Sequence, residues 1–139
     1  GTIALGVNKA ALLAHLGLSD EYHLSFAFGG EDDDLEVKTG VITFQMPNFA
    51  TTLTGVSVNV KTAPTGAAAQ FDLNEGGTSV LSTKITIDTS EFTSETALVQ
   101  PVISDSAIAA NAIMTLDVDV IGSTIAGVGG KAWIYYTKA

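Results

Sequence analysis

Apolar and polar residues alternate one by one along much of the chain from Tyr22 onward. The alternation is clearest in five runs, at residues 42–46, 56–60, 71–73, 85–87 and 116–120. Strands with one face in a core and one face in water have this period-two pattern. Strands of parallel sheets, which are buried on both faces, read instead as continuous apolar runs. The pattern therefore predicts antiparallel sheets.

Turn-forming residues separate these runs. Glycine, proline and asparagine recur at residues 29–30, 47–48, 63–66, 74–77 and 127–130. The stretch from Asn74 to Gly77 has the composition of a hairpin turn, since glycine accepts positive φ angles. About eight or nine short strands with turns about every ten residues are typical of a sandwich. The expected fold class is all-β: an antiparallel β-sandwich, jelly-roll-like, with a short N-terminal helix.

Residues 1–20 differ from the sandwich domain predicted for residues 21–139. Asn8 is a suitable N-cap, residues 9–16 contain good helix formers, and Gly17 stands where a left-handed C-terminal cap belongs. Leu12, Leu13 and Leu16 form one apolar stripe. Because so short a helix is marginal in water, it must pack on something. We expect it to cover an edge or end of the sandwich; the alternative is an attachment segment or an oligomer contact.

Charge and composition exclude several classes of protein. Fifteen acidic residues stand against six lysines, with no arginine, so the net charge is −9. Such a surface repels phosphate backbones and anionic lipids, and we expect neither nucleic acid nor a membrane as partner. The apolar stretch at residues 10–18 is far shorter than the ~20 residues that a bilayer requires. Without cysteine there are no disulfides and no cysteine-ligated metals.

An acidic run after Gly29-Gly30 is the best candidate for a ligand site. It consists of Glu31, Asp32, Asp33, Asp34 and Glu36. Clustered carboxylates on a flexible loop suit Ca²⁺, although the spacing differs from that of an EF-hand loop. A solvated loop without metal is the preferred interpretation, and no other cofactor is expected.

Catalytic motifs are sparse, and we expect the protein not to be an enzyme. His15 and His23 lie eight residues apart on different predicted elements, which is not a metal-ligand spacing. Asp117 and Asp119 share one face of a predicted strand about 7 Å apart. A glycosidase built on this pair is the one catalytic alternative, and it would need a cleft.

Aromatic residues of the last predicted strand offer a different chemistry. Trp133 and Tyr135 share one face of that strand, and Tyr136 lies on the other. Core packing is the expected role of Trp133 and Tyr135. Stacking against a sugar ring is the alternative.

Residues 26–136 resemble a β-domain that recurs in virion structural proteins of tailed bacteriophages, of the fibre-like and decoration types. The segments that carry the resemblance are TFQMP (43–47), LTGV (53–56), APTG (63–66), DLNEGGTSVLSTK (72–84), ID (87–88), PVISD (101–105) and LDVDVIG (116–122). The most specific block is residues 74–84. Gln45 departs from the pattern, which has arginine there, and residues 1–20 have no counterpart.

The resemblance implies a non-enzymatic virion structural protein on the exterior of the particle, as a head decoration, a head fibre or a tail-fibre module. The implied partners are other virion proteins, further copies of this chain with a trimer favoured, and host-surface glycans. A carbohydrate-binding or adhesin module is the alternative function, and a glycosidase ranks below it.

Overall fold

Two antiparallel sheets packed face to face build most of the domain, and two short strands form a third, separate sheet. The computed structural model describes residues 9–18 and 20–139. In spatial order, the first sheet contains β1 (Tyr22–Ala27), β11 (Lys131–Lys138), β3 (Thr51–Asn59) and β9 (Ala107–Ile108). The second contains β2 (Lys38–Gln45), β10 (Ile113–Val120), β4 (Ala69–Glu75) and β5 (Thr78–Ser79). β7 (Ile85–Ile87) also pairs with β4, and β6 (Leu81–Thr83) pairs with β8 (Val102–Ile103).

The core lies between the two sheets and is filled by the alternating apolar positions. Val58 and Ile134 of the first sheet are buried in the same cluster as Leu73 and Leu116 of the second. Phe28, just after β1, meets Phe71 of β4 edge-on, with ring centroids 5.7 Å apart. Each such side chain contributes about 1.5–3 kcal/mol by leaving water. The predicted all-β antiparallel sandwich is confirmed.

The hairpin between β4 and β5 forms where the sequence predicts it. Glu75 pairs with Thr78, and the two residues between them, Gly76 and Gly77, have φ angles of 56° and 86°. Two successive positive φ angles match the right-handed twist of a two-residue hairpin. Glycine adopts them without steric cost.

The N-terminal helix α1 spans Lys9–His15. It ends as predicted: Gly17 has φ 69°, and the amide of Leu18 donates to the carbonyl of Leu13 at 2.7 Å. This is the left-handed cap expected of glycine after a helix. The predicted N-cap, Asn8, lies outside the described residues. No helix within residues 9–18 and 20–139 is long and apolar enough to cross a membrane.

Candidate functional site

The acidic loop connects β1 to β2, and two of its carboxylates pair with lysines of the first-sheet side. Lys61, just beyond β3, forms a salt bridge with Asp32, and Lys131 at the start of β11 forms one with Glu31. A third carboxylate, that of Asp33, accepts the amide of Gly30 at 2.9 Å. Three of the five loop carboxylates therefore have separate partners. Within the described part of the chain, no three histidine, aspartate or glutamate side chains converge to share a metal ion.

The two lysine pairs are exposed, but one of them shifts the ionisation of its partners. The hydrogen bond from Lys61, and then its positive charge, hold the pKa of Asp32 below its usual range. The same hydrogen bond and charge raise the pKa of Lys61. A lowered carboxyl pKa contributes stability above the ordinary value of about 3.9, and this contribution is lost as pH falls through the folded-state pKa. The raised lysine pKa contributes stability that is lost as pH rises through it.

Asp32→Asn is expected to lower the melting temperature slightly at neutral pH and low salt. The loss should disappear at about 1 M salt, where the Debye length is about 3 Å, because the pair is exposed and its attraction is screened. It should also disappear in acid, where Asp32 itself becomes protonated. Thermal unfolding followed by circular dichroism, at several pH values and salt concentrations, measures the effect.

Asp34→Asn is the matched control, since it removes a loop charge that has no lysine partner among the contacts above. It should raise the melting temperature or leave it unchanged, because it relieves repulsion. Calcium should leave both melting curves unchanged. A rise of several degrees with calcium, lost in the double variant Asp32→Asn/Asp34→Asn, would instead establish a metal site in the loop.

Asp117 and Asp119 are held by the sheet itself. Asp117 accepts the amide of Gly40 in β2 at 2.7 Å and the side-chain amide of Asn74 in β4 at 2.9 Å. Asp119 pairs with Lys84 at 2.8 Å, and this hydrogen bond raises the pKa of Lys84. Asp117 thus hydrogen-bonds to both strands that flank β10. It lies at the position where the pairing of β10 with β2 shifts register. These contacts give both carboxylates a structural role.

Trp133 and Tyr135 lie on the outer face of the first sheet, so the expected core packing of this pair is wrong. The residues with which they alternate, Ala132, Ile134 and Tyr136, are the buried ones. His23 of β1 joins them on the outer face, with its ring centroid 5.7 Å from that of Trp133 and 6.2 Å from that of Tyr135. The candidate histidine His23 therefore belongs to an aromatic surface. His15, the other candidate, lies in α1.

A groove of about 480 Å³ lies beside Tyr135, along the edge of β3. Two segments of the chain contact this edge at separate points. At one end the amide of Leu53 donates to the carbonyl of Ser106 at 2.8 Å, and at the other the amide of Val58 donates to the hydroxyl of Ser94 at 3.0 Å. The space between them is the groove. Its lining includes Tyr135, Thr54, Gly55, Glu95, Gln100 and Ser106, and we call it the Tyr135 groove.

Two further surfaces expose aliphatic side chains. On α1 and its cap, Leu12 is 49% exposed, while Leu16 and Leu18 are each 59% exposed. In the loop after a 3₁₀ turn at residues 94–96, Leu98 is 91% exposed and is followed by Val99, which is 60% exposed. Of the stripe predicted for the helix, Leu12 and Leu13 lie in α1 and Leu16 lies in the turn after it; Leu12 and Leu16 are exposed, so the expected burial against the sandwich is incomplete.

Sequence reasoning identified Trp133 and Tyr135 but missed their neighbours. The Tyr135 groove joins residues of β3, of the loop before β8 and of β11, which are distant along the chain. One local signal was present: Gly55 interrupts an apolar strand, which often marks a close approach to another backbone or a ligand. Comparison of the chain with protein-family models, with curated proteins and with solved structures finds no match.

Proposed function

We propose that this protein is a non-enzymatic structural module on the exterior of a tailed-bacteriophage virion, where it assembles with further copies of itself and with other virion proteins. The resemblance of residues 26–136 supports the virion. The observation that carries the assembly is the set of exposed leucines in and just after α1, namely Leu12, Leu16 and Leu18.

A helix of seven residues has little stability of its own in water. Full burial of a leucine is worth about 1.5–3 kcal/mol, and the leucines in and just after the helix still have about half of this to gain. Because Leu12, Leu16 and Leu18 are about half exposed or more, a further surface could supply the remaining burial. Attachment to another chain is the simplest source of that surface.

Charge also favours contact through the helix. The chain carries a net charge of −9, so two sandwiches brought together face to face repel each other. The segment KAALLAH of α1 contains no acidic residue, and its ionisable groups are Lys9 and His15. Helices from several copies can therefore meet without this repulsion. We favour a closed trimer, in line with the threefold contacts implied by the resemblance.

Light scattering of the full chain tests the assembly. The wild type is expected to be oligomeric at micromolar concentrations, and Leu12→Ser/Leu16→Ser is expected to be monomeric because it removes two of the three exposed leucines. Val37→Ser is the matched control: Val37 is 61% exposed on the sandwich and its replacement should leave the oligomer intact. A monomeric wild type, or an oligomer that survives the double substitution, would count against assembly through α1.

The virion itself is tested separately. Mass spectrometry of purified particles should find the chain in a fixed ratio to the major capsid or tail proteins, and immunogold labelling should place it on the outside. Particles that lack the chain would refute the virion role. Monomers found in solution would not alter that result, so the two parts of the proposal are judged independently.

A further inference from the structure

The Tyr135 groove has the composition of a sugar-binding site. The aliphatic face of a hexose packs on an aromatic ring, while its hydroxyl groups need polar partners around the rim. The groove supplies the ring of Tyr135, the hydroxyls of Thr54 and Ser106, and the carboxylate of Glu95. The lining is about equally polar and apolar, and convergent polar groups are what orient a ligand in a small-ligand site.

The floor of the groove leaves room beside the aromatic ring. Gly55 is directly opposite Tyr135 in the β3–β11 pairing. A Cβ atom at position 55 would lie 3.4 Å from Cδ2 of Tyr135, which is ordinary van der Waals contact. Since glycine has no Cβ, the flank of the ring that a side chain would cover stays open to the groove.

The wall of the groove is held in place before any ligand arrives. The side-chain Nε2 of Gln100 donates to the carbonyl of Ala97 at 2.8 Å and to that of Ser94 at 3.0 Å. Ser94 is itself fixed to β3 through its hydrogen bond with Val58. A loop fixed in this way loses little conformational freedom on binding, which increases affinity.

The charge of the groove selects the class of sugar. Its charged lining residue is Glu95, and none of the six lysines lines it. Glu21 is also near, since its carboxylate accepts the hydroxyl of Thr54 at 2.7 Å. Sialic acids and uronic acids would be repelled in a protein of net charge −9. A neutral hexose matches the site.

We propose that the Tyr135 groove binds a residue of a neutral hexose oligosaccharide, with the sugar ring packed on Tyr135. The outer-face rings of His23 and Trp133 continue the aromatic surface, so neighbouring sugar units have further rings to contact. This binding goes beyond the proposed structural role and does not depend on α1.

Isothermal titration calorimetry of the full chain tests the proposal after a screen on an oligosaccharide array. The probes are maltohexaose, cellohexaose and mannohexaose as neutral sugars, with sialyllactose and oligogalacturonate as acidic ones. At least one neutral probe is expected to bind, and the acidic probes are expected not to bind. Failure of all neutral probes at millimolar concentration, or preferential binding of an acidic probe, would overturn the proposal.

Two variants change the groove in opposite ways. Tyr135→Leu removes the aromatic ring, whereas Gly55→Val fills the open space beside it; the φ angle of Gly55 is not in the left-handed region that disfavours side chains. Each should weaken binding at least about tenfold, a loss of about 1.4 kcal/mol. Thr52→Val, on β3 outside the groove, and Tyr22→Leu, on β1, are the matched controls and should bind as the wild type does.

Melting curves establish that each variant is folded. If either groove variant fails to fold, the other decides the outcome. Unchanged affinity in a folded Tyr135→Leu or Gly55→Val protein would place the sugar elsewhere and refute the assignment. Neither variant touches the leucines of α1, so oligomerisation should be unaffected and the two proposals can fail separately.

Discussion

Replacing Phe71 by alanine is expected to lower the free energy of unfolding by about 3–5 kcal/mol. Phe71 is 0% exposed and lies on β4 between its partners Val118 of β10 and Ile85 of β7. Its ring also meets that of Phe28, which links the end of the first sheet to the middle of the second. Removing the ring leaves a cavity that two flanking strands prevent from closing. Urea denaturation measures the loss.

Phe92→Ala is the matched control for this substitution. Phe92 is 57% exposed, so the same change in chemistry removes little buried surface and should cost almost nothing. Phe71→Leu should fall between the two, because leucine refills part of the space. A loss below about 1 kcal/mol in Phe71→Ala would show that the sheets move together and that the core is less rigid than its packing implies.

Replacing Gly122 by alanine is expected to lower the free energy of unfolding about as much as Phe71→Ala does, because of a clash with the backbone. A Cβ atom at this position would lie 1.8 Å from the carbonyl oxygen of Ile125. That oxygen accepts the amide of Thr65 at 2.9 Å, and the amide of Gly122 donates to the carbonyl of Ala126 at 3.0 Å. Since backbone atoms cannot give way as a flexible side chain can, the loop must break these bonds. We expect a loss of about 4 kcal/mol or more.

Gly76→Ala separates this steric clash from the usual cost of replacing glycine. Gly76 has φ 56° and nothing within 4 Å of its Cβ position, so alanine there pays only the strain of the left-handed region, about 1–2 kcal/mol. Thermal and urea unfolding of both variants gives the comparison. If Gly122→Ala loses no more stability than Gly76→Ala does, the close approach to Ile125 does not constrain the loop.

The strands could be predicted because the alternation of apolar and polar residues is typical of a strand with one face in the core and the other in solvent. Leu73 and Leu116 are buried as their patterns require, and Asp72 and Asp117 stand on the opposite face. The β4–β5 hairpin could be predicted because two adjacent glycines select one turn type. Both patterns involve residues close together in sequence, so they can be interpreted without knowledge of the rest of the chain.

The outward position of Trp133 and Tyr135 could not be read from the last strand. In the sequence AWIYY both sets of alternating positions are apolar, so the pattern does not say which faces the core. The choice is made by the neighbouring strands. Leu24 and Phe26 of β1 pack against the core on the side of Ile134, which leaves Trp133 and Tyr135 outside.

By itself the sequence determined the fold class, the antiparallel pairing, the end of the helix at Gly17 and the acidic balance of the surface. The tertiary structure alone decided how charges and rings meet: Lys61 and Lys131 reach the acidic loop, Asp117 ties strands together, and Tyr135 lines a groove with Glu95. Periodicity and composition act over a few neighbouring residues. A site instead depends on which distant segments a sheet brings side by side, and strand order is set by packing of the whole chain.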